Sequence, residues 1–357
     1  MIGPEYFENI QNNNVVTMYS KLSQELTQSI IKQLQEVGDI TSYTKSQIRV
    51  LQQIGGNKAL LEALYKTNKL SGKRKKELKE MFENLAKESM QDYREQYARA
   101  EEEYKISPEQ YTLINTALKR TDKEFSNLTK TIAYATKQQY VKALDNLYTQ
   151  VATGAFDYDK AIKRTVTDLS EKGIILTDKA GRNIRLEGQV RNNLFTSLTQ
   201  TANDISKGIG DKIGANCVYI GHSPFCRPTH RVIDGVYMSI DKFKEYEYLT
   251  KEPNCHHVVN YDWQSKFDDK RNKISYTDGH LSDAQYNKNY ETRQNQNYLA
   301  RQVRYKKEEI QNIKGTGNTD LINKKKQELK LAQSKYRTFC KANGLEIDYS
   351  QTWKARI

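Results

Sequence analysis

Apolar residues return along the first third of the chain at helical spacing. Leu22, Leu26, Ile30, Leu34 and Val37 follow one another at intervals of four, four, four and three, which draws one apolar stripe down a helix. The pattern predicts helices broken by short loops from residue 15 to about residue 150. Thr44 with Gln47, and Ser107 with Pro108 and Gln110, have the residue types of capping boxes, in which a hydroxyl and an amide satisfy the exposed amide hydrogens at a helix start. Between these two starts lie Lys73, Arg74, Lys75 and Lys76, then a heavily charged stretch from Glu77 to Tyr104 with Tyr93, Tyr97 and Tyr104 interleaved. It reads as a solvated helix laced with ion pairs, with a nucleic-acid or partner contact as the alternative.

The pattern changes at Gly173. Ile174, Ile175 and Leu176 lead through Asp178 and Gly181 to Ile184 and Leu186, a small β-hairpin with a glycine-bearing turn that ends by Glu187. Val190 to Ile213 returns to helix, and the runs Val218 to Ile220 and Val258 to Tyr261 read as short strands. After them comes a helix from about Ser282 to Ile313, a loop at Gly315 to Asn318 and a second helix to about Cys340. Leu299, Val303, Ile310 and Ile313 on one, and Ile322, Leu329, Ala332, Tyr336 and Phe339 on the other, give facing stripes for a helical hairpin. The expected fold is mainly α with a small α+β module: long N-terminal helices over 1–150, a central α+β domain with short strands over 151–280, and a basic helical hairpin over 281–357.

Composition adds a partner class. Hydrophobic residues at 37%, charged residues at 28% and a mean hydropathy of -0.85 suit two-faced helices that pack on other elements or subunits rather than one large globule. A formal charge of +13 makes an acidic partner the expectation, nucleic acid first and an anionic membrane surface second. From Leu281 onward, 16 cations against 8 acids leave +8. Arg293, Arg301, Arg304, Lys306, Lys307, Lys324, Lys325 and Lys326 are the candidate phosphate contacts of such a hairpin, which would hold double-stranded DNA without reading its sequence; a solvated coiled-coil face is the alternative. No apolar run approaches the roughly 20 residues of a membrane span, and the polar start from Met1 to Asn14 is unlike a signal peptide, so a cytoplasmic site of synthesis is expected.

Chemistry concentrates in one place. Three of the four cysteines and four of the five histidines fall between Cys217 and His257. Tetrahedral zinc takes four nitrogen or sulfur ligands from two nearby groups, and His222, His230, Cys255 and His257, with Cys226 as substitute, meet that requirement for a structural zinc site. The spacing is not that of a standard zinc finger. Two other readings stay open: buried thiols and satisfied structural histidines, or a catalytic site with Cys255 or Cys226 as nucleophile and His230 or His257 as base. Asp234 close to His230 also allows a metal-dependent nuclease, although magnesium prefers several oxygen ligands and this window offers mainly sulfur and nitrogen.

The run His222-Ser223-Pro224-Phe225-Cys226-Arg227-Pro228-Thr229-His230, followed by Gly235-Val236-Tyr237-Met238-Ser239 and Asn254-Cys255-His256-His257, resembles the phage minor capsid protein 2 family, itself distantly similar to MuF-type head morphogenesis proteins. Upstream, Gly154, Phe156, Tyr158, Ala161, Ile162, Gly173, Gly181, Arg191 and Thr196 resemble the stretch that precedes this motif. Downstream, Gln294, Gln296, Tyr298, Leu299, Arg301 and Arg304 resemble the family's arginine-rich helix. The chain departs from the pattern at His256, where arginine is usual, at Ile233-Asp234, where a tryptophan-glutamine pair is common, and at Cys217 and Cys226, which look like additions. The resemblance implies a structural, low-copy protein of the head interior. It implies assembly in the host cytoplasm, attachment to the portal or inner capsid with the portal and major capsid proteins as partners, contact with packaged DNA, and ejection with the genome. A hydrolase or nuclease carried in the virion and a purely non-specific DNA binder are the competing functions.

Overall fold

The computed structural model describes residues 13–96, 108–178, 181–223, 226–252, 255, 257–262, 281–314, 318–347 and 352. Eight α-helices and five short strands occur among them: α1 Asn14–Val37, α2 Lys45–Gln96, α3 Pro108–Ala152, α4 Tyr158–Lys172, β1 Ile175–Thr177, β2 Asn183–Arg185, α5 Leu186–Ile213, β3 Cys217–Ile220, β4 Tyr237–Ser239, α6 Ile240–Thr250, β5 Val259–Asp262, α7 Asp283–Ile313 and α8 Thr319–Ala342. The protein is therefore mainly α with a small α+β module, and no helix among the described residues is long and apolar enough to cross a membrane.

The contacts gather the chain into two units. One takes in the described parts of 75–123 and 191–295; the other takes in 14–74, 124–190 and the described parts of 296–357. Each draws on separated stretches because α2, α3, α5 and α7 contribute to both.

In the second unit α1 buries the stripe read from the sequence, with Leu22, Leu26, Ile30 and Leu34 all in the core beside Val15 and Tyr19. The Thr44–Gln47 capping box forms in full: Thr44 N donates to Gln47 Oε1 at 2.8 Å and Gln47 N donates to Thr44 Oγ1 at 3.3 Å. Its counterpart at Ser107, and the remainder of the charged stretch to Tyr104, lie outside the described residues. Asp157 caps α4 by accepting from Lys160 N, and Gly173 closes it with a φ of 60° that only glycine adopts without cost. The β1–β2 hairpin then pairs Ile175 with Arg185 and Thr177 with Asn183. The α7–α8 hairpin packs Ala300 and Val303 against Tyr336 and Cys340.

A buried charge cluster ties this unit together. Lys325 is 1% exposed and meets Glu309 and Glu328 at 3.1 Å each, together with Glu171 on α4. Burial opposes the charge on Lys325, but the three carboxylates outweigh it and raise its pKa. Lys306 adds contacts of 2.9 and 2.8 Å to Glu309 and Glu328, and Arg185 joins Glu308 at 2.9 Å while lying over the Tyr305 ring.

The first unit holds the α+β module. β3 is the centre of a three-stranded antiparallel sheet in the order β4-β3-β5, with Val218 opposite Met238 on one side and Tyr261 on the other. The sheet packs Val218, Ile220, Met238, Val259 and Tyr261 against Phe243 and Leu249 of α6 and against Ile233. α5 lies close by: Asn203 and Ser206 accept from the β5 amides of Val259 and Tyr261, and a Cβ at Gly210 would stand 2.3 Å from Tyr261 Cβ. β4 and α6 are absent from the sequence reading, because three residues are too few for an alternation to register and α6 has only Phe243 and Leu249 as fully buried apolar anchors.

Replacing Lys325 by Met leaves buried Glu309 with Lys306 alone and takes a cation from Glu171 and Glu328. The expected cost is about 2–3 kcal/mol, below the ~3–5 of a fully buried pair because Glu171 and Glu328 keep some contact with water. Urea unfolding of the variant measures it, and a change under about 0.5 kcal/mol would show that the cluster is not a source of stability.

Candidate metal centre

The α+β module sets three chain segments against each other. A loop after β3 carries His222, Ser223 and Cys226; a 3-10 turn, Pro228–His230, begins with proline and places His230 in the interior; and the approach to β5 supplies Cys255 and His257. Backbone bonds hold each segment: Cys226 N to Ser223 O at 3.0 Å, His230 N to Arg227 O at 2.8 Å, and Cys255 N to Glu252 O at 3.0 Å.

His230, Cys255 and His257 are 1%, 4% and 1% exposed, and one donor atom from each lies within 4.8 Å of the other two. Cys255 Sγ is 3.6 Å from His230 Nδ1 and 3.4 Å from His257 Nδ1. Both imidazoles therefore turn Nδ1 inward and Nε2 outward. Each outward nitrogen meets a carboxylate: His230 Nε2 is 3.0 Å from Glu252 Oε2, and His257 Nε2 is 2.9 Å from Asp234 Oδ1. Arg227 Nη1 donates to the same Glu252 oxygen at 2.7 Å.

Asp234 is the junction of the site. Besides His257 it accepts from Ser223 N at 2.7 Å and meets His222 Nδ1 at 2.7 Å, so one carboxylate joins the loop after β3 to the approach to β5. His222 is thus engaged by Asp234 and stands outside the His230–Cys255–His257 group. Cys226, with Asp234 and His257, makes a second cluster of donor atoms within 4.8 Å. Its Sγ also lies 3.1 Å from the hydroxyl of Tyr286 on α7, which donates to Cys226 O at 3.0 Å. Cys217 sits apart in β3 with its thiol toward Asp262 O, Cys340 is buried in the α7–α8 hairpin, and all four cysteines are thiols rather than halves of disulfides.

Electrostatics follow from this wiring. Burial alone would push the His257 imidazole down, but bonds to Asp234, Cys226 and Cys255 outweigh it and carry its pKa to about 11. Burial likewise opposes ionisation of Asp234, and the bonds from His222, His257 and the Ser223 amide overcome it and hold the carboxyl below its ordinary value. His230 goes the other way, because burial lowers it more than Glu252 raises it. Glu252 is lowered chiefly by its bond to His230.

Such an arrangement suits a borderline metal. Tetrahedral zinc with bonds of about 2.3 Å to sulfur and 2.0–2.1 Å to nitrogen sets its sulfur and nitrogen ligands roughly 3.5 Å apart. The two thiol–imidazole separations bracket that value. Carboxylates on the outward nitrogens of ligating histidines are the usual means of fixing tautomer and ring orientation. The line Cys255–His257–Asp234 also has the order of nucleophile, base and orienting acid of a cysteine hydrolase. The sequence offers Asp234 as a neighbour of His230 and as part of a departure from the family pattern, and it does not point to Glu252 or Tyr286; a carboxylate at a hydrophilic position carries no local signature of a distant histidine.

The candidate phosphate contacts separate in the same way. Lys325 and Lys306 are engaged by the internal carboxylates, and Lys307 donates to Thr352 O. Arg293 and Arg304 are half-buried, whereas Arg301, Lys324 and Lys326 are exposed. α8 carries further exposed cations that the sequence reading did not single out: Lys330, Lys335, Arg337 and Lys341. At 100° per residue Lys326, Lys330, Arg337 and Lys341 share one face within an arc of about 60°.

Asp234→Ala in metal-free protein removes the counter-ion of a buried imidazolium, with an expected cost of about 3–5 kcal/mol at pH 7. His257 is raised from 6.5, so its share of the stability is complete below pH 6.5 and is lost as pH rises through about 11. Asp234 is lowered from 3.8, so its share is complete above pH 3.8 and is lost as pH falls below it. Denaturant unfolding of both proteins should show the gap shrinking between pH 7 and about pH 11; an equal gap at both would contradict the ion pair.

Comparison with known proteins bears on the chain as a whole. No curated protein and no solved structure matches it. A family does: the match, to the family described as Phage minor capsid protein 2, runs from residue 2 to residue 341 and so takes in nearly every element above, the His/Cys module included. The chain belongs to the phage minor capsid protein 2 family and is a structural protein of the bacteriophage virion, associated with other components of the head.

Proposed function

We propose that this minor capsid protein works by binding rather than by turnover, with a zinc-stapled α+β module as its rigid element. His230, Cys255 and His257 would hold the metal, with Cys226, whose thiol groups with His257 and Asp234, as the fourth ligand in place of His222, which falls in neither group of donor atoms. The observation that carries the reading is the pair of inward Nδ1 atoms at 3.4 and 3.6 Å from one thiol, each backed by a carboxylate on Nε2. The sheet gives zinc a purpose: three strands of three or four residues bury little, and metal coordination supplies folding free energy that such a sheet lacks. Attachment to the portal or inner capsid, contact with packaged DNA and passage out of the head with the genome complete the proposal. The exposed face of α8 supports the DNA contact, since it presents cations to a phosphate backbone without any means of reading bases.

Elemental analysis of purified full-length protein tests the metal. About one zinc per chain is expected, lost in both His230→Ala and Cys255→Ser together with protease resistance of residues 214–262. A metal-free wild type that is folded and resists protease equally with and without chelator would remove the zinc reading and leave Cys255–His257–Asp234 to be assayed as a hydrolase on peptide and DNA substrates.

The DNA contact has its own test. Changing Lys326, Lys330, Arg337 and Lys341 together to Gln should reduce the magnitude of the slope of log affinity against log salt for duplex DNA by up to about 3.6, at ~0.9 per neutralised phosphate of B-form DNA. A slope unchanged in the variant would place the contact elsewhere.

A further inference from the structure

The start of α7 is fastened to the His/Cys module at two points. A capping box opens the helix: Ser282 N donates to Gln285 Oε1 at 3.1 Å, and Gln285 N donates to Ser282 Oγ at 3.4 Å. One residue on, Tyr286 turns inward and is 2% exposed. The Arg231 guanidinium lies over its ring, 4.4 Å from the centroid, and donates to Asp283 and to Leu281 O at 2.6 Å each. The Tyr286 hydroxyl makes the second attachment. It donates to the Cys226 carbonyl at 3.0 Å and lies 3.1 Å from the Cys226 sulfur.

That sulfur contact depends on what the sulfur carries. A phenol has a single proton to give, so with that proton on Cys226 O the contact is made by the thiol, which donates to Oη. A cysteine bound to a metal has lost its proton and only accepts. Of the neighbours of Cys226 Sγ, the Arg227 carbonyl at 3.6 Å and the Asp234 carboxylate are acceptors, and His257 is itself a ligand in the zinc reading. Tyr286 can supply what a thiolate takes. Its hydroxyl faces two acceptors of one residue, and the charged sulfur is the stronger of them.

We propose that Tyr286 is a positioning residue of the metal centre: its hydroxyl donates to the coordinated Cys226 thiolate, so that loading the site fastens the first turns of α7 to the module. The inference rests on the zinc reading with Cys226 as a ligand. It adds to that site a residue from another element, far outside the window where the cysteines and histidines cluster.

The test compares the full-length wild type with Tyr286→Phe and Arg231→Gln. Phenylalanine keeps the ring beneath Arg231 and removes the hydroxyl alone. Competition with a chromophoric chelator should show Tyr286→Phe holding zinc ~10–100-fold more weakly than the wild type. In the cobalt(II)-loaded variant the thiolate-to-metal charge-transfer band should move to longer wavelength, because a thiolate without its hydrogen bond gives up electron density more readily. Arg231→Gln, which cuts the other attachment, should leave that band in place. Hydrogen exchange across residues 282–290 should slow on zinc loading of the wild type. Unchanged zinc affinity in Tyr286→Phe, a band that moves as far in Arg231→Gln, or exchange indifferent to zinc would each overturn the proposal and leave the zinc site standing. A folded wild type that binds no zinc would remove both.

Discussion

The orientation of two buried imidazoles is the constraint on which the α+β module turns. A histidine ring has two nitrogens that can exchange places at little steric cost, and only a partner on one of them decides which faces the interior. Asp234 and Glu252 make that choice for His257 and His230, each taking Nε2 and leaving Nδ1 to Cys255. Asp234 does more, because its two oxygens also hold Ser223 N and His222 Nδ1. Loops that would otherwise meet through a few weak contacts are joined by charge-assisted bonds in a site sheltered from water, where such bonds are at their strongest.

Similar physics recurs in the second unit. Lys325 is as deeply buried as His257 and, like it, keeps its charge because carboxylates surround it. These internal pairs change what the net charge means. The formal +13 already counts Glu171, Glu308, Glu309 and Glu328, so their pairing with Arg185, Lys306 and Lys325 leaves the total as it is but takes those three cations away from any partner, whereas Lys326, Lys330, Arg337 and Lys341 on α8 face outward. A charge count from sequence gives the sign of a partner; the distribution of exposed cations gives the face.

Much of the fold was legible along the chain. The stripe of α1, the Thr44–Gln47 box, the hairpin around Gly181 and the facing stripes of α7 and α8 all rest on local periodicity or on capping chemistry confined to a few residues, and local rules read them correctly. β4 and α6 were missed because their stability is tertiary: Met238 and Phe243 have no pattern until β3 lies beside them. The periodicity starts α5 four residues late, because Leu186 and Glu187 read as the end of the hairpin that stops where the helix begins. At the site, residue types alone gathered His230, Cys255 and His257. Composition cannot separate His222 from Cys226, because only the folded loops bring the Cys226 thiol to His257 and leave His222 on Asp234.

Zinc K-edge X-ray absorption of the purified full-length protein tests most directly whether this cluster is a metal staple. A zinc staple held by Cys226, Cys255, His230 and His257 would give a four-coordinate shell of two sulfurs at about 2.3 Å and two nitrogens at about 2.0–2.1 Å. A shell of oxygens, or no zinc edge from protein that is folded, would contradict it.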